Sequence, residues 1–215
     1  MFEQVLSKEA LEVIEILGPK LTRFYLAGGT GLALQLGHRK SEDLDFFTDK
    51  RFTPDLLLSS TPHARVLFTD EGTIHFELWG IRVSLLYYEP PLAYPAIDWR
   101  DMKVADIRDI GAEKIKTISQ RGAKKDFIDL YAILKMRYSI EELCNFFGRR
   151  FNDSDMNLYH VLRSLVFFED AEQDPLPHML VSGKDWDWEQ IKTFFIESIE
   201  AFEKHLIKGS PEFRV

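Results

Sequence analysis

Short apolar runs punctuated by glycine and proline dominate the first part of this chain. Apolar positions spaced three or four apart dominate the second. Ser7 to Leu17 reads as an amphipathic helix, capped by Ser7 and stopped by Gly18-Pro19. Phe24 to Ala27 is an apolar run ending in Gly28-Gly29, the pattern of a buried strand entering a turn. Thr30 suits the cap of a short helix carrying Leu32, Leu34 and Leu36. A further strand follows through Phe47, in which Asp43 and Asp45 alternate with Leu44 and Phe46. Thr53-Pro54 sets a cap before a proline at the first helical position and predicts a short helix over residues 55–58. Arg65 to Phe68, Thr73 to Leu78 and Ile81 to Tyr88 read as three strands, with turns at Gly72 and at Trp79-Gly80.

The proline-rich stretch from Pro90-Pro91 to Pro95 breaks this pattern and is the expected boundary. It separates an α/β region over residues 1–95 from a helical region over 96–215. After Val104-Ala105 the pattern is helical. Asp106 to Gln120, Lys124 to Met136 and Ile140 to Phe151 read as three helices, the third opened by the capping box Ser139-Ile140-Glu141-Glu142. Asp155 to Glu169 and Trp188 to Ile207, the latter capped by Asp187, complete the set, and Gly209 to Val215 reads as a frayed tail. Phe146, Phe147, Phe151, Phe167, Phe168, Trp186, Trp188, Phe194 and Phe195 fall at helical spacing and read as core rather than as a base-stacking surface.

Composition narrows the setting. With 215 residues, 45% of them apolar, the chain can build one domain with a substantial core or two small ones. No run of eighteen apolar residues offers a membrane span. The first residues lack the basic region and apolar run of a secretory signal. Cys144 is the sole cysteine, which excludes an internal disulfide and fits a reducing cytoplasm; it reads as a helix core residue, not a nucleophile. The net charge of −8 argues against a general nucleic-acid binder, so any RNA contact must use a local patch.

Chemistry concentrates in two places. A glycine turn feeding a helix N-terminus presents free N–H groups and the positive end of the dipole, a site for anions. Gly28-Gly29-Thr30 has that form, although it equally suits an ordinary strand–turn–helix connection. Asp43 and Asp45 shift the balance. Two residues apart in a strand, they share a face and repel by roughly 3 kcal/mol at an effective dielectric near 20. Strand interiors also disfavour aspartate. Such a pair calls for a cation, and Mg²⁺ is usually held by one or two carboxylates plus phosphate oxygens. Between turn and pair lie His38, Arg39, Lys40 and Ser41, where Arg39 suits a forked phosphate contact and His38 reads as a solvated loop residue.

The second place lies in the helical region. Lys114 falls within the apolar stripe of Ile107, Ile110, Gly111 and Ile118. Either its stem packs while its ammonium reaches the edge, or it points into a site. Asp126 sits in the first turn of the next helix, where an acid favours the dipole or pairs with Lys114. Asp129 reads as solvated, and Arg121, Lys124 and Lys125 as a basic turn.

These motifs carry a resemblance. Leu26-Ala27-Gly28-Gly29-Thr30-Gly31-Leu32-Ala33-Leu34, followed by His38-Arg39-Lys40-Ser41-Glu42-Asp43-Leu44-Asp45-Phe46-Phe47, resembles the first motif of the AbiEii/AbiGii-type nucleotidyltransferases. These are toxins of bacterial type IV toxin–antitoxin and abortive-infection systems, within the DNA polymerase β-like superfamily. Asp109 to Tyr131 is similar to the family's downstream lysine and aspartate motifs. The resemblance implies an α/β (α+β) fold, with a small mixed-sheet nucleotidyltransferase core followed by a helical half. It implies transfer of a nucleotidyl group from a nucleoside triphosphate to an RNA, such as tRNA, or to a protein acceptor. Asp43 and Asp45 would hold Mg²⁺ or Mn²⁺. Gly28, Gly29, Thr30, Arg39, Ser41 and Lys114 would bind the nucleotide, and Lys114 and Asp126 would join the two aspartates in catalysis. An antitoxin protein is the implied partner. One position departs from the superfamily pattern: Ser84 stands where a later strand often supplies a third carboxylate. Glu77 on the neighbouring strand is a substitute. The alternative is a catalytically degenerate nucleotide-binding module acting through a partner.

Overall fold

The computed structural model describes residues 1–54, 61, 63–152 and 155–207. They form two compact units, Met1–Asp106 and Ile107–Val215. The helix expected over 55–58 and the tail from Gly209 lie outside the described residues.

The first unit is built on a mixed seven-stranded sheet of order β3-β4-β5-β2-β1-β7-β6. Its strands are β1 (Tyr25–Leu26), β2 (Leu44–Thr48), β3 (Arg65–Asp70), β4 (Thr73–Leu78), β5 (Ile81–Tyr87), β6 (Ile97–Trp99) and β7 (Met102–Val104). Strand β2 runs parallel to β5 and antiparallel to β1, and β1 runs parallel to β7. Two-residue alternation sends Leu44, Phe46, Val83, Leu85 and Phe76 to one buried face. There they join Val13, Ile14 and Leu17 of α1 (Lys8–Leu17) and Ala33 and Leu34 of α2 (Gly28–Leu36) in a single core. Ser7 caps α1 as its sequence predicts, accepting from the Ala10 amide at 3.1 Å. The mixed α/β architecture expected from the sequence is therefore present.

Residues 97–104, beyond the proline-rich stretch at 90–95, belong to this sheet as the β6–β7 hairpin. Three-residue strands are too short to display alternation, so the pattern is silent about them. The hairpin turns through Arg100 at φ 51°, and its guanidinium grips Glu3 and Glu15 at 3.0 and 2.6 Å.

The second unit contains α3 (Ile107–Arg121), α4 (Lys124–Met136), α5 (Ile140–Phe151), α6 (Leu158–Ser164), α7 (Glu169–Glu172), α8 (Trp188–Glu197) and α9 (Ile199–Leu206). The capping box at Ser139 is formed in both directions. Phe127 anchors the aromatic core against Phe168, Trp188 and Phe195, so most of the aromatic stripe is core, although Phe167 is exposed. Two helices are shorter than their patterns suggest. The first ends at Ser164. The last breaks at Ser198, whose backbone (φ −90°, ψ −3°) departs from the helix. Apolar spacing runs through that single residue, as Phe195 and Phe202 stack across the break, so periodicity does not reveal it. Cys144 is buried, and burial pushes its thiol up to about 12, as suits a packing residue.

Candidate functional site

Strand pairing builds the first half of the site. In the antiparallel β1–β2 ladder Leu26 faces Phe46, which places Ala27 beside Asp45, and the Ala27 amide donates to the Asp45 carbonyl at 3.0 Å. Gly28 follows with φ 61°, and α2 begins at once. A Cβ at Gly28 would stand 3.1 Å from Asp45 Oδ2. The carboxylate and the start of α2 therefore occupy the same end of the sheet, and glycine is needed for both conformation and clearance. Gly28→Ala is expected to cost about 1–2 kcal/mol of stability from the left-handed backbone alone. Thermal melts of the variant check this; an unchanged melting temperature would contradict the strained backbone and the close approach.

Thr30 does not cap the helix. Ala27 occupies the N-cap without a side-chain bond, and the intrahelical ladder opens with Gly31 N–H donating to Ala27 at 3.0 Å. The amides of Gly28, Gly29 and Thr30 precede that first bond, in the positions that helix geometry leaves without an intrahelical acceptor. The Thr30 hydroxyl instead donates to the Asp43 carbonyl and lies 2.7 Å from Ser41 Oγ. It thereby straps the segment ahead of β2 onto α2. Asp43 stands just before the strand, exposed, while Asp45 is half-buried within it. Gln35 fixes the helix from its other side, donating to Ala105 O and Gly31 O at 2.9 Å each.

The basic residues behave differently from expectation. His38 is fully buried, not solvated, and Arg39 is 4% exposed with its guanidinium donating to Lys40 O at 3.0 Å. Lys40 Nζ donates to Gln4 O at 2.5 Å. Arg39 is thus held in the interior of the unit, and a forked contact with a phosphate would require it to leave that carbonyl. Periodicity cannot show this burial, because the segment lies between regular elements and its neighbours come from distant sequence.

Ser84 stands directly beside Asp45 in the β2–β5 register. Glu77 does not take its place. It lies on β4, in register with Arg82 across β5, and its carboxylate accepts from Arg65 at 2.8 Å. His75 is the residue in register with Ser84, and its Nδ1 lies 3.1 Å from Ser84 Oγ.

The donor chemistry of Asp43 and Asp45 suits a hard divalent cation. Both donors are carboxylate oxygens, and the approach at Gly28 leaves one of them facing the start of α2. Among the described residues no cluster of three or more His, Cys, Asp or Glu could cage a metal alone. Mg²⁺ needs no such cage when substrate phosphates complete its coordination.

In the helical unit Lys114 is buried and bridges two carboxylates, Asp126 Oδ1 at 2.7 Å and Asp129 Oδ2 at 2.5 Å. Arg121 Nε adds a third contact, to Asp126 Oδ2 at 2.8 Å. Burial pushes the Asp126 carboxyl up, but the Lys114 charge and the Arg121 hydrogen bonds outweigh it and hold it below the usual carboxylate range. Of the two roles open for Asp126, the structure shows the ion pair with Lys114. Asp129, read from sequence as solvated, is fully buried. It lies three residues after Asp126 on α4, the helical neighbour spacing that could have flagged it.

Comparison with known proteins supplies the context. A family model described as nucleotidyl transferase AbiEii toxin, type IV TA system, matches residues 13–78 and 74–208. An uncharacterized protein of Aquifex aeolicus (strain VF5) is 32% identical over 203 residues, spanning 91% of this chain and 95% of its own. The solved structure of MenT4, a nucleotidyltransferase toxin of Mycobacterium tuberculosis H37Rv, aligns with a TM-score of 0.57 at 17% identity, over 99% of this chain and 92% of that one. That of JHP933 from Helicobacter pylori aligns with a TM-score of 0.52 at 19% identity, over 96% and 97%. At such identities the two structures establish a common fold.

Proposed function

We propose that this chain, which belongs to the nucleotidyl transferase AbiEii toxin family of type IV toxin–antitoxin systems, moves a nucleotidyl group from a nucleoside triphosphate to a hydroxyl of an RNA or protein acceptor. The family makes the chain a nucleotidyltransferase; the metal, the acceptor and the residue roles are our reading. The approach of Asp45 Oδ2, 3.1 Å from where a Cβ at Gly28 would stand, carries it, because anion-binding amides and an acidic side chain then share one place.

In this reading the amides of Gly28, Gly29 and Thr30 receive the triphosphate, aided by the positive end of α2. Asp43 and Asp45 hold Mg²⁺ or Mn²⁺, which when bound neutralises charge on the phosphates. The Thr30 hydroxyl, beside that of Ser41, fixes the backbone at Asp43 against α2. A fixed triphosphate lets the acceptor attack in line with the departing pyrophosphate. Lys114 and Asp126 enter on the sequence resemblance. An antitoxin protein is the expected partner. A cytoplasmic setting agrees with the family and with the finding that, among the described residues, no helix is long and apolar enough to cross a membrane.

The test is incubation with each α-labelled triphosphate and Mg²⁺, with either total bacterial RNA or total bacterial protein as acceptor. One triphosphate is expected to label one of the two pools, and chelation of the divalent ion should abolish the product. Label that stays free in every reaction would overturn the proposal.

A further inference from the structure

We propose that His75, acting through the Ser84 hydroxyl, takes up the proton that the acceptor hydroxyl loses during nucleotidyl transfer. This rests on the reading that the Asp45 end of the sheet is the reaction site.

The register is the first observation. Asp45 pairs with Ser84, and Ser84 pairs with His75, so the three stand in one row across β2, β5 and β4. Directly paired residues project on the same face, and adjacent strands lie about 4.8 Å apart, so the row spans about 10 Å. Each of the three is half-buried, which leaves the row accessible from that face. The second observation is the hydrogen bond: Ser84 Oγ and His75 Nδ1 are 3.1 Å apart, within reach for proton transfer. Phe68 of β3 lies on the far side of the imidazole, with ring centroids 6.0 Å apart. The charged groups sharing the face are Glu77 on β4, Arg65 and Asp70 on β3, Arg82 on β5 and Asp45 on β2, with Lys103 on β7 and Asp98 on β6 at the far edge of the sheet. Glu77 is bound by Arg65, so it is not the better base.

The chemistry requires such a group. Carboxylates that bind a cation have reduced basicity, and Ser84 is no base by itself. In the proposed step the acceptor O–H proton passes to Ser84 Oγ while the Ser84 proton passes to His75 Nδ1. The acceptor oxygen forms its bond to the α-phosphorus, and the bond from that phosphorus to the pyrophosphate oxygen breaks. The products are the nucleotidylated acceptor, pyrophosphate and a protonated imidazole, which later returns its proton to water.

The test separates this role from that of a cross-strand Ser–His pair serving the sheet. Transfer is measured with the labelled triphosphate and the macromolecular pool that the wild-type protein uses. His75→Ala should lower kcat about 10²-fold, as expected for a lost general base. KM for the triphosphate should move less than about twofold, because binding is made elsewhere. The acid limb of the wild-type pH–rate profile should vanish in the variant. In a Ser84→Asp background, where a carboxylate stands at the relay position, His75→Ala should cost less than about threefold, a coupling read from the double-mutant cycle. A second readout needs no activity. In nitrogen-15 spectra of the free protein, neutral His75 should carry its proton on Nε2, with Nδ1 accepting from Ser84. An Nδ1–H tautomer overturns the relay, and so does a His75→Ala enzyme with wild-type rate and pH profile. Wild-type protein that labels nothing with any triphosphate overturns the underlying reading as well, which distinguishes the two failures.

Discussion

Asp45→Asn is expected to reduce nucleotidyl transfer by about 10³-fold or more without unfolding the protein. A bound metal ion contributes several kcal/mol of charge stabilisation, and about 4 kcal/mol corresponds to roughly 10³-fold in rate. Asparagine removes the charge that would hold the cation. The fold should tolerate it, because the contact Asp45 makes with Ala27 runs through its backbone carbonyl. Removing one of two neighbouring negative charges also relieves repulsion. The check is transfer of label by variant and wild type, with thermal melts of both. Activity within twofold of wild type would exclude Asp45 from the reaction. A collapse in melting temperature would show that the side chain is structural.

Lys114→Met is expected to produce the largest loss of stability. The lysine lies between two carboxylates that are both fully buried. Removing the lysine takes a buried cation from between two buried carboxylates, and breaking a buried ion pair costs about 3–5 kcal/mol. The pH dependence has a definite sign. Lys114 and Arg121 hold the Asp126 carboxyl below its ordinary value. That pairing therefore stabilises the wild type above the unfolded value, near 4, and the contribution is lost as pH falls through the lower folded value. Without Lys114 the burial effect gains ground and the carboxyl shifts upward. The variant's deficit against wild type should thus be largest near neutral pH and should narrow in acid. Urea unfolding followed by circular dichroism at pH 7 and pH 4 measures this. A loss under about 1 kcal/mol at pH 7, or a gap that widens in acid, would show that the pair contributes little.

Most elements of this protein are legible in its sequence because they depend on local chemistry. The stop at Gly18-Pro19, the Ser139 capping box and the strand alternation from Leu44 to Phe46 each involve residues within a few positions of one another. The Gly28-Gly29 turn and the Asp43/Asp45 spacing also mark the candidate site directly in the sequence. The short β6–β7 hairpin was not legible, because two three-residue strands after a proline-rich stretch carry too little pattern.

Tertiary structure alone decided what each of those residues faces. Burial of His38 and Arg39, the strap from Thr30 to Asp43 and the pairing of Asp129 with Lys114 all join segments separated by loops or turns. The row Asp45–Ser84–His75 is the clearest case, since β2 and β5 lie some forty positions apart and a slip of one residue would turn Ser84 to the opposite face. Sequence determined which residues are the candidates for the chemistry, through their spacing along the chain. Strand register determined their neighbours, because it is set by the packing of whole apolar faces rather than by any residue in the row.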